Sequence, residues 1–248
     1  MQRAELDAYL DQYLDVAKFR DYCPNGLQVE GKAAVMRIVT GVTASLALIE
    51  RAIEARADAV LVHHGYFWRG EDPRIVGIKR SRIARLLEHD LNLYAFHLPL
   101  DAHVEVGNNV ALARTLGLMV EGRSGENDLV FYGRTDTPLT LADLAARVEQ
   151  RLVRAPLVIG DTDRAIERVA WCTGAAQGYL EEAVRLGVDA YITGEASEQT
   201  VHLARESGVA FIGAGHHATE RYGIQALGAH LAGRFGLEHV HIDDPNPV

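Results

Sequence analysis

Arg37-Ile38-Val39-Thr40-Gly41, then Ser45 to Ala57, then Ala59-Val60-Leu61-Val62-His63-His64-Gly65 is the stretch whose reading decides the fold. Its two ends are short apolar runs, the pattern of strands buried on both faces. Between them Leu46, Ile49 and Ile53 recur at helical spacing. Strand, helix and strand in that order make a βαβ unit and predict a parallel sheet. The second strand ends on two imidazoles. Ligands of open α/β sheets gather beyond the carboxyl ends of strands, which makes His63 and His64 the first candidate site residues.

The alternation continues outward. Ser81 to His89 reads as a helix, Leu91 to Phe96 as a strand ending on His97 with Asp101 close behind, and Asn108 to Leu116 as a helix. Glu121 to Asp128, rich in Gly, Ser, Asn and charge, reads as a linker and divides the chain into halves 1–125 and 126–248. In the second half come a strand at Leu129 to Gly133, a helix from about Thr140 with a Thr140/Asp143 capping pair, and strands at Leu157 to Gly160 and Arg168 to Thr173. After Phe211-Ile212, the turn Gly213-Ala214-Gly215 opens a helix from His216 to Phe235, and a last strand lies near Val240 to Ile242. The expected class is therefore α/β.

One strand-helix-strand pattern recurs in both halves, as duplication or any two βαβ units would give. An offset of 131 residues sets Ile49-Glu50, Ala52-Ile53 and Asp58-Ala59 against Leu180-Glu181, Ala183-Val184 and Asp189-Ala190, and His64 against Glu195. With a small shift the strand before His97 matches the one before His216. The ligand candidates then occupy equivalent strand ends, and the site is expected in the cleft between two related α/β halves.

His216 and Glu220 are four apart on a helix and share a face, whereas His217 points about 100° away. His63 and His64 point to opposite faces of a strand unless the chain leaves it, and Gly65 supplies that freedom. Pro99 turns the chain so that Asp101 returns beside His97, with His103 an alternative ligand. Five side chains, His63, His64, Asp101, His216 and Glu220, exceed what a tetrahedral zinc with an open position uses, and suit two divalent ions per chain. Without thiolate ligands the set accommodates zinc, manganese, iron, cobalt or nickel. His97 and Glu195 are the candidates for moving protons. Tyr66-Phe67-Trp68 and the cations from Arg69 to Arg85 offer aromatic faces and positive charge for a nucleotide-like substrate.

Composition narrows the class. The 248 residues are 48% apolar and carry a formal charge of -9, which opposes a broad duplex-binding face and leaves nucleic acid weakly supported as a partner. Cys23 and Cys172 form no framework, no run approaches a membrane span, and the N-terminus lacks a signal segment, so a cytoplasmic protein is expected. Gly26 to Lys32 has the letters of a phosphate-binding loop, but Ala33 replaces the Ser or Thr and a strand follows. Neither a GxGxxG fingerprint nor a GxSxG elbow is present.

Four segments together resemble a known family: Tyr22-Cys23-Pro24-Asn25-Gly26-Leu27-Gln28-Val29-Glu30-Gly31, Val62 to Trp68, His97-Leu98-Pro99-Leu100-Asp101-Ala102-His103 with Gly107-Asn108-Asn109, and Gly215-His216-His217-Ala218-Thr219-Glu220-Arg221. They are similar to the NGG-one-interacting-factor-three-like family, whose members are also described as GTP cyclohydrolase type two homologues. The resemblance spans nearly the whole chain, including Ile192-Thr193-Gly194-Glu195, and corresponds to the short bacterial form without an inserted domain. It implies two α/β domains of related topology, a dinuclear metal site in their cleft with the five ligands named above, His97 close by, and a toroidal homohexamer. Two functions follow as expectations: a dinuclear metal-dependent hydrolase of the GTP cyclohydrolase type, or a non-catalytic metal-binding ring that serves as scaffold or regulator.

Overall fold

The computed structural model describes every residue, Met1 to Val248, as a mixed α/β fold with two sheets and nine α-helices. By contacts the chain divides into two compact units: Met1–Gly107 with Gly223–Pro245, and Asn108–Tyr222 with Asn246–Val248.

The first unit holds β1 (Gly26–Val29), β2 (Arg37–Thr43), β3 (Ala59–His64), β4 (Asn92–Ala95) and the last strand of the chain, β11 (Glu238–His241), in the order β1-β4-β3-β2-β11. β2, β3, β4 and β11 are parallel and β1 runs antiparallel on the edge. Alternation along β3 sends Val60 and Val62 into one apolar cluster and Ala59 and Leu61 into another, so both faces are covered. The first face packs against α2 (Leu46–Glu54) and α3 (Gly77–Glu88) through Leu48, Ile49, Ile83 and Leu86. The other packs against α1 (Arg3–Tyr13) through Leu6 and Leu10, and against Ile224, Leu227 and Leu231 of the long final helix, α9 (His216–Phe235). Ser45 caps α2 by accepting from Leu48 N–H. The segment with phosphate-loop letters begins as strand β1, Gly26–Val29, with Glu30 to Lys32 following it.

The second unit holds α5 (Asn108–Leu116), β5 (Leu118–Ser124), β6 (Val130–Thr140), α6 (Leu141–Leu152), β7 (Leu157–Ile159), β8 (Ala165–Trp171), α7 (Leu180–Leu186), β9 (Ala190–Thr193), α8 (Glu198–Ser207) and β10 (Ala210–Gly213). Its sheet order is β5-β6-β8-β9-β10-β7. β8, β9 and β10 are parallel, and β7 lies antiparallel on β10. The expected Thr140/Asp143 box caps α6. Two readings need correction. Glu121 to Asp128 is no linker: β5 occupies Leu118–Ser124 and pairs with β6, so that Glu121 to Ser124 continue the ladder begun by the apolar Leu118-Met119-Val120. The division also departs from halves cut at residue 125, since β11 returns to pair with β2.

The two sheets share a pairing plan. Ile38 faces Ala59 on β2 and β3, and Val169 faces Ala190 on β8 and β9, each residue 131 further along. Leu27 faces Tyr94, and Val158, again 131 along, faces Ile212. The same side-chain clip recurs: Asp58 Oδ2 accepts from Met36 N–H and Arg37 N–H at 3.0 Å each, and Asp189 Oδ2 from Glu167 N–H at 3.0 Å and Arg168 N–H at 2.9 Å. Each carboxylate satisfies two donors just before parallel pairing with the next strand begins, at Ile38 and at Val169.

Truncating either clip leaves those donors without their acceptor. Asp58→Ala is expected to cost about 2 kcal/mol in urea unfolding, and Asp189→Ala less, because the Asp58 side chain is 16% exposed and the Asp189 side chain 31%. Burial raises the Asp58 carboxyl pKa, but Lys32 and the two backbone donors outweigh it and the net shift is downward. The stabilisation is therefore present above the unfolded value of about 3.9 and fades as pH falls through the lower folded value. Asp58→Ala should correspondingly lose less stability than the parent protein on acidification below about pH 4.

Candidate metal centre

In the first unit the exit of β3 and the turn after β4 bring His63, His64, His97 and Asp101 together. The ligand atoms of His63, His64 and His97 lie within 4.8 Å of one another. The ring of His63 is 4.5 Å from that of His64 and 5.1 Å from that of His97. His63 is fully buried, and its Nδ1 is 2.8 Å from Phe96 O. A carbonyl only accepts, so Nδ1 carries the hydrogen and Nε2, 3.5 Å from Asp101 Oδ1, is the atom left to hold a cation. His64 Nδ1 lies 3.2 Å from Thr43 Oγ1. His97 Nδ1 is 2.7 Å from Asp21 Oδ1, and the backbone N–H groups of His97 and Leu98 donate to Asn25 Oδ1 and Asp21 Oδ2. Burial raises the Asp21 carboxyl pKa, but His97, Asn25 and Tyr22 N–H bring it down to about 2, so it stays ionised. Trp68 stands edge-on to His97 at 5.0 Å and walls one side.

Pro99 turns the chain as expected, but into helix α4 (Leu98–Ala102), where a proline in the first turn removes no needed donor. Asp101 N–H bonds to His97 O, and the carboxylate is buried beside His63. His103 stands apart. Its Nε2 donates to Tyr13 O and its Nδ1 accepts from Glu105 and Val106 N–H, so both nitrogens are used in the local fold and the alternative-ligand reading is withdrawn.

In the second unit α9 begins at His216, as its spacing predicts. His216 Nε2 is 3.0 Å from Glu220 Oε2, and Nδ1 is 2.7 Å from Glu195 Oε1. Burial lowers the His216 pKa, but Glu220 and then Glu195 raise it to about 9. Glu220 is buried in a cradle that sequence reading missed. Gly174 (φ 70°) sits where a Cβ would overlap Glu220 Oε1, and its N–H donates to the buried Thr219 Oγ1. A Cβ at Gly194 would meet Gly174 O and His216 Cα, so backbone packs on backbone there. The signal was the repeated Thr173-Gly174 and Thr193-Gly194 at consecutive strand ends. Asp21 and Thr43 were also missed, and no periodicity marks them. A cavity of about 520 Å³ borders Glu195, lined by Arg154, Leu157, Gly194 and Gly213 among others.

The cations after Trp68 are differently placed from the expectation. Arg74 pairs with Asp72, Lys79 with Glu71, and Arg85 with Glu50 and Glu88, while Arg69 lies over the Tyr22 ring. Paired in this way, Arg74, Lys79 and Arg85 offer little charge to a phosphate, whereas Arg69, Arg80 and Arg82 have no ion pair.

No helix is long and apolar enough to cross a membrane. The chain is 59% identical over 241 residues to a Pseudomonas aeruginosa protein named GTP cyclohydrolase 1 type 2 homolog, covering 96% of this chain and 95% of that one. It is 53% identical over 249 residues, with full coverage of both, to an Escherichia coli K12 protein of the same name. Among solved structures it matches protein ybgI, described as of unknown function, with a TM-score of 0.97 at 53% identity, and TTHA1606 from Thermus thermophilus with 0.90 at 39%, both over 100% of each chain. The profile of the Duf34/NIF3 (NGG1p interacting factor 3) family matches residues 1–247, and the chain belongs to that family.

Proposed function

We propose that the protein is a metal-dependent hydrolase acting on a nucleotide-like substrate, with a dinuclear centre held by His63, His64, Asp101, His216 and Glu220. One observation carries the reading: each imidazole in the two clusters is engaged at Nδ1, by Phe96 O, Thr43 Oγ1, Asp21 or Glu195, and the Nε2 atoms of His63 and His216 lie beside Asp101 and Glu220. Metal-binding histidines are oriented in this way by outer carboxylates and carbonyls. Nitrogen and oxygen donors without thiolate fit divalent zinc, manganese, iron, cobalt or nickel.

Bound divalent ions supply Lewis acidity and lower the pKa of water. The chain's own residues do the rest. His97, held by ionised Asp21, takes a proton at Nε2 from an attacking water, and Glu195 keeps His216 turned inward. The cavity beside Glu195 gives a substrate room, with Arg154 as its cation. The relatives' name makes GTP the first substrate to assay, by water attack at C8, ring opening and release of formate. The internal pairing of Arg74, Lys79 and Arg85 favours a second reading, a non-catalytic metal-binding ring that acts as scaffold or regulator. The toroidal homohexamer belongs to both readings, and light scattering reads it directly.

Elemental analysis of the purified protein is expected to find up to two divalent ions per chain, with fewer in Asp101→Ala. No metal in fresh protein and none after reconstitution would overturn the dinuclear centre. His216→Ala should weaken metal binding at least tenfold more than His217→Ala, because only His216 shares a face with Glu220. With its pKa near 9, His216 must release a proton to bind, so affinity should rise with pH up to about 9. The raised pKa also means that the His216 contribution to metal-free stability is present below about pH 6.5 and lost on the way to 9.

Catalysis is tested separately by Glu195→Gln. Gln can still accept from His216 Nδ1, so metal should remain. Loss of formate release from GTP in the metal-replete variant assigns Glu195 a proton-transfer role. Turnover equal to the parent leaves it the role of orienting His216.

A further inference from the structure

The second unit contains an arginine-lined crevice that the metal-centre reading does not use. Arg114, Thr115, Asp136, Arg147, Arg151 and Tyr222 contribute to a cavity of about 490 Å³, within the range of small-molecule sites. Three guanidinium groups face one carboxylate in a chain whose formal charge is -9.

The plain explanation is that these cations offset the C-terminal ends of α5 and α6, where carbonyl groups lack helical partners. The hydrogen bonds limit that explanation. Leu116 O, at the end of α5, accepts from Arg147 Nη1 at 3.3 Å. At the end of α6, Leu152 O accepts from Arg221 Nη2 at 2.7 Å and Arg151 O from the Tyr222 hydroxyl at 3.3 Å. Arg147 and Arg221 therefore serve the helix ends, and the Arg151 side chain has neither a hydrogen-bonded acceptor nor an acidic partner. Arg147 also commits only Nη1, to Leu116 O and Asp136 Oδ1 at 3.1 Å, so most of its donor fork is uncommitted.

We propose that this crevice binds the phosphate group of a small phosphate-bearing metabolite, with Arg151 and Arg114 as cationic contacts, Arg147 fixing the rim, and the Tyr222 ring walling the organic part. The planar fork of arginine matches a phosphate by two parallel hydrogen bonds, and the volume exceeds what a bare ion fills. The proposal is independent of the metal centre.

Calorimetry on metal-free protein tests it, with GMP and inorganic phosphate as probes. GMP is expected to bind more tightly than inorganic phosphate and to weaken as salt rises. Arg151→Ala should lower GMP affinity about tenfold, the loss of one charge-assisted contact, and Arg114→Ala should lower it similarly. Both side chains are exposed, so unchanged thermal unfolding is expected to show that the variants keep the fold. Four results would each overturn the proposal: no GMP binding to the metal-free parent, GMP no tighter than phosphate, equal affinity in Arg151→Ala, or binding that appears only when metal is restored.

Discussion

The candidate centre depends on a constraint applied to each imidazole from behind. A histidine side chain can rotate and can carry its proton on either nitrogen, so a free ring presents a mixture of donor and acceptor. Here Phe96 O, Asp21 and Glu195 each take the Nδ1 hydrogen, and a single direction remains for Nε2. The Phe96 carbonyl lies one residue past β4, which continues into Phe96 N–H bonded to Val62 O. Sheet register thus places the acceptor, the acceptor sets the tautomer, and the tautomer sets the ligand atom. Each such bond is worth only about 1 kcal/mol net, but stranding a buried imidazole nitrogen costs about 1 to 3 kcal/mol, so the orientation is held by the fold itself.

The second determinant is that one scaffold is used twice with different chemistry at matching positions. β3 exits into His63-His64, while β9 exits into Gly194-Glu195. After the third parallel strand the two units converge again: β4 is followed by His97 and Asp101, β10 by His216 and Glu220, an imidazole with a carboxylate four residues on in each. The consequences differ because the helices differ. α4 has five residues and Asp101 turns to His63, whereas α9 runs for twenty and holds Glu220 against His216. The equivalent of a ligand candidate, Glu195, is thereby spent behind an imidazole rather than in front of it.

Much of this was legible in the sequence where local and global signals agree. The βαβ unit, α5, the start of α9 and the α6 capping box all follow from periodicity and from residues that satisfy helix-end donors. The strand-end histidines follow from topology. The failures lie where a partner distant in sequence decides. The second half of β5, Glu121 to Ser124, is polar and glycine-containing, and its pairing with β6 keeps it in the strand. Asp21 lies 76 residues from the His97 it orients, in an irregular segment with no period. Glu195 was legible as a carboxylate near the site, but its position behind His216 required the close packing of Gly174 and Gly194.

Charge shows the same limit. The basic run after Trp68 was the visible anion-binding feature, yet folding places an acidic partner beside Arg74, Lys79 and Arg85. Arg114, Arg147 and Arg151 form no run, because they come from two helices, and only the packing of α5 beside α6 gathers them. What a cation can do is set by the acceptors left over after helix ends and neighbouring carboxylates are served, and that remainder exists only in three dimensions. The same subtraction separates Arg147 from Arg151, four residues apart on one helix: the first is held by Leu116 O and Asp136, while the second keeps its full donor set for whatever enters the crevice.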